Sequence, residues 1–409
     1  MKPATAATIG PMLRLSGRAK ALKPSATMAL DAKAKALKRE GIPVISLAIG
    51  EPDFDTPDLV KDEAVRALKA GATKYTEPAG IPELRAAIAA KLARDNAVTV
   101  SPEQVAVTTG AKQALYNALQ VLVGPGDEVL VPAPHWVSYP DMVALAGGKP
   151  VLVDWTEGFQ IDLEDLERKI TPRSRVILVN TPNNPTGAVY PRETLEKVAA
   201  LAARHNLALL SDEIYEKLVF GGARHVALAS LSPEAAARTV TVNGCSKAYA
   251  MTGWRLGYAA GPKDVIAAMV KLQGQSTSCV PGFIQKAAVT ALEKGDATIP
   301  PMVAEFDRRR LAVLDLVRRW PGTKVAEPRG AFYVFPEVTA LLGKRLDGTG
   351  APVADDLALS ELLLNEARVA VVPGTPFGAP GHLRLSTAAS QDMLDRACAA
   401  VDTVLRRLR

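Results

Sequence analysis

Cysteine and histidine are scarce: three cysteines (Cys245, Cys279, Cys398) and four histidines stand among 409 residues. The cysteines are odd in number and scattered, which excludes a disulfide framework and suits a reducing cytoplasm. No pair of histidines or cysteines has metal-ligand spacing, which argues against a zinc or iron enzyme. Long apolar runs are missing too, since none approaches the ~18 residues needed to cross a bilayer. The formal charge of +6 is mild for this length and amounts to some attraction for small carboxylates and phosphates. There is no dense Lys/Arg run with interleaved aromatics, so no nucleic-acid partner is expected. Residues 1–30 carry Lys2, Arg14, Arg18, Lys20 and Lys23 and no acid, but lack the Arg/Ser-rich pattern of an organelle transit peptide. A cytoplasmic protein with no membrane partner is the expectation.

What is present is an ordinary globular composition, 48% hydrophobic and 22% charged, in a chain longer than one average domain. From about Thr56 to Glu305, short β-rich runs (Val105–Thr108, Val129–Val131, Arg175–Asn180, Leu207–Ser211, Val240–Asn243, Leu256–Ala259) alternate with helical stretches such as Ala111–Val123, Glu193–His205 and Lys263–Gly274. This alternation predicts an α/β fold with a mostly parallel central sheet covered on both faces. Beyond residue 305 a charged helix, Phe306 to Arg319, leads into a different texture, a smaller α+β domain. The expected division is a frayed tail over 1–11, a strip and helix over 12–55 belonging to the small domain, a large domain over 56–305, and the small domain over 306–409.

In such sheets ligands bind at the carboxyl ends of the strands, and the unusual residue clusters lie just after the β-rich runs. Lys247 follows Val240–Asn243. A lysine desolvated there is left as a nucleophilic amine, able to form a Schiff base with an aldehyde cofactor. Ser246 and Arg255, on the same loop, are donors for a phosphate. Asp212, at the end of Leu207–Ser211, can pair with a protonated pyridine nitrogen. Asn180 to Gly187 is a rigid turn that can hold the Asn184 amide against a ring oxygen, with Tyr215 as a second donor. The turn Thr108 to Lys112 opens a helix whose first N–H groups favour a phosphate dianion, and Trp136 offers a ring for stacking. Each cluster alone has a plainer reading. Lys247 and Arg255 make a solvated surface pair, Asp212 a helix N-cap, the Asn180 loop a well-made turn, and Trp136 core packing.

Taken together these segments resemble the fold-type I, class I aminotransferases, within the bacterial aspartate aminotransferase branch that includes prephenate aminotransferases. The resemblance runs from about residue 12 to 405. It rests on Gly50-Glu-Pro-Asp-Phe-Asp-Thr-Pro57, Lys74 to Arg85, Asn183-Asn-Pro-Thr-Gly187, Ser211-Asp-Glu-Ile-Tyr215, Ser246-Lys247 with Gly253-Trp-Arg255, Gly330-Ala-Phe-Tyr-Val334 and Arg384-Leu-Ser386, in the family's order. It implies pyridoxal 5′-phosphate as cofactor and Lys247 as the residue that binds it covalently and transfers the proton. Asp212 is implied at the ring nitrogen, Asn184 and Tyr215 at the ring oxygen, and Trp136 over the ring. Ser246, Arg255 and the Ala111 and Lys112 amides are implied at the phosphate. Arg384 is implied as the fork for the substrate α-carboxylate, with the Gly50 backbone beside it. The resemblance also implies a homodimer with shared sites, in which Tyr75 reaches the partner's cofactor phosphate and Gln273–Cys279 approaches the partner's site. Departures are His135 where tyrosine is usual, Thr387 where an aromatic is common, and Glu77 where a small residue often sits, each a change that can alter pocket shape.

The implied activity is ping-pong transamination between aspartate or glutamate and a 2-oxo acid. The Lys112 side chain, with Lys23 as a second cation, would contact the distal carboxylate. Prephenate, with its second carboxylate, fits the same charges. A β-lyase sharing the cofactor residues and a non-catalytic regulator are the alternatives, although the chain has little room for the regulator's DNA-binding domain.

Overall fold

The computed structural model describes residues 13–22 and 26–409. The candidate substrate contact Lys23 and the expected tail over 1–11 lie outside the described residues.

A seven-stranded sheet forms the larger layer, in the order Val105–Thr108, Gly257–Ala260, Thr239–Gly244, Ala208–Asp212, Ser174–Asn180, Glu128–Pro132, Lys149–Val153. The strand Gly257–Ala260 runs antiparallel to both neighbours, and the remaining pairs are parallel. Successive strand residues face opposite sides, and the sequence is apolar at both parities, so both faces are buried. Val129, Val131, Val176 and Leu178 pack with Leu115 and Leu119 of the helix Ala111–Leu122. Leu130, Ile177 and Val179, one residue out of phase, pack with Leu195 and Val198 of the helix Arg192–Arg204. Each such side chain contributes roughly 1.5–3 kcal/mol by leaving water.

A second layer carries the three-stranded antiparallel sheet Tyr333–Val334, Leu383–Ser386, Val372–Pro373. The N-terminal strand Ile45–Ser46 pairs in parallel with Val369–Ala370, and Leu30, Ala34 and Leu37 of the helix Ala26–Arg39 pack beside that pair. The helices Ile299–Arg318 and Gln391–Leu405 close this core.

The helix expected from Phe306 begins earlier, at Ile299. A boundary between 305 and 306 therefore cuts a continuous helix. Pro300 and Pro301 sit in its first turn, where a missing N–H costs nothing, so they start the helix instead of breaking it. Arg309 on this helix ties it to the chain that follows the strand Ile45–Ser46. It donates to Glu305 at 2.8 Å and to Asp53 at 2.7 Å, with its guanidinium 5.3 Å from the Phe54 ring.

Candidate active site

At the carboxyl edge of the large sheet, Asn180 stands in register with Asp212, while Thr108, Gly257 and Gly244 form a second row. This edge opens on a cavity of about 360 Å³. Lys247, just past the strand Thr239–Gly244, lies inside it. The Nζ donates to the Gly50 carbonyl at 2.6 Å and sits 5.7 Å from the ring centres of Tyr215 and Phe332. Burial draws its pKa down to about 8; Glu51 opposes this, and the cations Arg255 and Arg384 add to it. The result is an amine whose neutral fraction near neutral pH far exceeds that of an exposed lysine, although the ammonium still predominates below about pH 8.

Asp212 ends its strand at 4% exposure. Its Oδ1 accepts the Ile214 N–H at 3.2 Å and its Oδ2 accepts the Tyr139 hydroxyl at 2.8 Å. Burial pushes its pKa up to about 6, against the pull of those two hydrogen bonds.

Asn184 is held by its own loop, its N–H donating to Asn180 Oδ1 at 2.9 Å. Its Oδ1 accepts from Arg384 at 2.9 Å, which leaves the amide Nδ2 as the group able to donate into the cavity. Arg384 is buried on the strand Leu383–Ser386. It gives a second bond to the Ala48 carbonyl at 2.5 Å and lies 4.5 Å over the Tyr333 ring. Among the described residues its Nε is buried without a partner, a costly arrangement unless an acceptor is brought to it. Tyr215 shares a 2.7 Å hydrogen bond with Tyr333.

At the other end, Gly110 (φ 83°) precedes the helix Ala111–Leu122 without a side-chain cap, so the first N–H groups have no intrahelical partner. Arg255 closes against this turn: a Cβ at Gly110 would lie 2.5 Å from its NH2, and a Cβ at Gly257 would lie 2.2 Å from Ala111 N. Glycine at both positions is what lets the helix start, the guanidinium and the loop with Ser246 approach one another. Lys112 lines the same cavity with Nζ 4.6 Å from the Trp136 ring centre, its pKa lowered by burial and by Arg255.

The structure thus brings Gly50, Ala111, Lys112, Trp136, Asn184, Asp212, Tyr215, Ser246, Lys247, Arg255 and Arg384 to one cavity. Tyr75 is apart from it, 93% exposed beside Cys279. Gln273 is turned into its own chain, donating to Pro78 O at 2.7 Å and Val107 O at 2.8 Å. The departures His135, Thr387 and Glu77 are not among the residues that line the cavity. His135 is buried with Nδ1 3.0 Å from the Trp136 carbonyl, and Glu77 faces Arg85 at 3.9 Å.

Sequence reasoning missed Tyr139 and Tyr333, both lining the cavity. Tyr139 stands three residues after Trp136, a spacing that puts both on one side of a helical turn. Tyr333 lay within a segment already singled out. Behind the Asp212 loop, Glu213 and Glu216 face away from the cavity. Glu213 meets His225 at 3.1 Å, and Glu216 meets Lys91 and Asn96. The ligand atoms of Glu213, Glu216 and His225 lie within 4.8 Å of one another, but the Lys91 ammonium already neutralises Glu216.

A family model described as aminotransferase class I and II matches residues 42–401. The aspartate/prephenate aminotransferase of Thermus thermophilus is 48% identical over 97% of this chain and 100% of its own. The aspartate aminotransferase of Geobacillus stearothermophilus is 46% identical over 94% of this chain and 97% of its own. Among solved structures, the Thermus thermophilus aspartate aminotransferase with maleate superposes with a TM-score of 0.90 at 47% identity, covering 96% of this chain and 100% of that one. The aspartate aminotransferase of Rhizobium meliloti gives 0.93 at 42% identity, over 97% and 100%. Matched by the family model over most of its length and by relatives end to end, the chain belongs to the class I and II aminotransferases.

Proposed function

We infer that the protein is a pyridoxal-phosphate-dependent transaminase that exchanges an amino group between aspartate or glutamate and a 2-oxo acid. The observation that carries this is a lysine amine, hydrogen-bonded to Gly50, sharing one cavity with a buried carboxylate and with three further cations, Lys112, Arg255 and Arg384.

The donor set fits the cofactor. The uncapped helix start at Ala111 and Lys112, with Ser246 and Arg255, would hold a phosphate. Asp212 would face the ring nitrogen, Asn184 and Tyr215 the ring oxygen, and Trp136 a face of the ring. When bound, pyridoxal phosphate supplies an aldehyde carbon for covalent capture of amines and a ring that stabilises negative charge at the substrate α-carbon.

The chain's own residues then divide the work. Lys247 Nζ, with its pKa near 8, takes the substrate α-proton as a general base and returns it as an acid, a task suited to a group that titrates close to working pH. Arg384 binds the α-carboxylate with its planar fork, for which its Nε and the second N–H groups of its terminal nitrogens are the donors not engaged by the Asn184 and Ala48 bonds. The Gly50 backbone assists there. Lys112 supplies a point charge for a distal carboxylate, and Lys23 is retained as a second candidate. Prephenate as an acceptor is a second reading, favoured by the same two cavity cations, Lys112 and Arg384. Tyr75, exposed and outside its own cavity, is available to the site of a second copy, which supports a homodimer. Among the described residues no helix is long and apolar enough to cross a membrane.

The test is a half-reaction screen on the cofactor-loaded protein, following loss of its visible absorbance donor by donor. Aspartate and glutamate are expected to convert it faster than alanine. Failure of both removes the dicarboxylate reading, and release of ammonia and pyruvate without an acceptor points to a lyase.

A further inference from the structure

Asp212 does not stand free in the cavity, because the fold engages each of its oxygens differently. Oδ1 takes a backbone N–H from its own turn, and Oδ2 takes the hydroxyl of Tyr139, which comes from a different strand–helix connection. Tyr139 opens the helix Tyr139–Leu145 and is 1% exposed. Its ring packs edge-on against Trp136, with centres 5.5 Å apart, and into the core with Leu115, Met142 and Val143. Phenylalanine would satisfy all of that packing. The hydroxyl is the part that needs explaining, since burying one without a partner is costly. The partner it meets among the described residues is the Asp212 carboxylate.

Resting on the cofactor reading above, we propose that Tyr139 is a positioning residue whose hydroxyl fixes the Asp212 carboxylate in the orientation that pairs with a cationic ring nitrogen. Two further observations agree. Burial holds the Tyr139 phenol firmly in its neutral, donating form, and the adjacent carboxylate reinforces this. Among the groups that keep Asp212 ionised against its burial, the Tyr139 hydrogen bond is the largest. Tyr139 and Trp136 lie on one face of a turn, so the residue placed to cover the ring and the residue that aims the carboxylate are set by the same short segment.

The experiment compares two ligands on two proteins, by absorbance or fluorescence titration of the cofactor-free chain. The ligands are pyridoxal phosphate and its analogue with the ring nitrogen replaced by carbon. In Tyr139→Phe the dissociation constant for pyridoxal phosphate is expected to rise about tenfold, the usual effect of losing one hydrogen bond to a charged group. The constant for the carbon analogue is expected to stay the same, because it has no nitrogen for Asp212 to meet. Equal weakening of both ligands, or of neither, overturns the assignment and leaves the cofactor reading intact. A native chain that binds neither ligand overturns the cofactor reading itself.

Discussion

Replacing Gly50 with alanine is a severe test of how the cavity is built. Gly50 has no left-handed backbone angle, so the side chain alone decides the outcome. A Cβ there would stand 2.0 Å from the Tyr333 hydroxyl oxygen and 3.1 Å from Cζ. Tyr333 has nowhere to retreat: it is 1% exposed, lies 4.5 Å beneath the Arg384 guanidinium and 5.0 Å from the Phe332 ring centre, and is bonded to Tyr215 at 2.7 Å. Displacing it breaks the Tyr215 bond, at about 1 kcal/mol, and overpacks the core, at roughly 1–3 kcal/mol. Together these give a loss of about 2–4 kcal/mol, read as a lower denaturant midpoint of the cofactor-free protein. Tyr333→Phe removes the oxygen in the way, so the double variant should recover part of the loss, with a coupling of roughly 1 kcal/mol or more. Unchanged stability in Gly50→Ala, or strict additivity in the double variant, would refute the packing argument.

Three further outcomes are expected. Lys112→Ala should lower kcat/KM for aspartate by about ten- to a hundredfold, the loss of one charged contact, and leave alanine nearly untouched. Equal loss for both would remove its role in selection. The Lys247 amine should react with an aldehyde probe in the cofactor-free protein along a curve with its midpoint at about pH 8, because only the neutral amine reacts. A rate still climbing beyond pH 10 contradicts the burial argument. The same shift bears on stability: the folded value lies below the ordinary 10.5, so the cost of burying the charge is fully present below about pH 8 and is relieved as pH rises toward 10.5. Glu216→Gln leaves the Lys91 ammonium, 2% exposed, without its counter-charge and should cost about 3–5 kcal/mol, whereas Lys91→Met with Glu216→Leu should cost less, what remains being the buried Asn96 amide stripped of both partners. Thermal midpoints that rank the double variant below the single one would contradict this.

The site was legible where its residues follow strands and carry distinctive chemistry. Lys247, Asp212, Asn184 and Arg255 all arise at the sheet edge, where apolar β-runs give way to polar loops, and the helix Lys263–Gly274 matches its sequence pattern to the residue. What stayed hidden depends on contacts far apart in sequence. Tyr139 meets Asp212 across 73 positions and Tyr215 meets Tyr333 across 118, and a buried tyrosine looks the same in sequence whether its hydroxyl serves a site or only the core. The helix expected from Phe306 starts at Ile299, because Pro300 and Pro301 suit a first turn. His135 and Thr387, departures beside the stacking and carboxylate-binding segments, are buried in the protein, a placement that single-residue identity does not reveal.

The chemistry of the site depends on a covalent anchor at Lys247. Borohydride reduction of the protein after incubation with pyridoxal phosphate, followed by peptide mass mapping, should find one phosphopyridoxyl adduct, on Lys247. An adduct on another lysine, or none at all, would contradict the account.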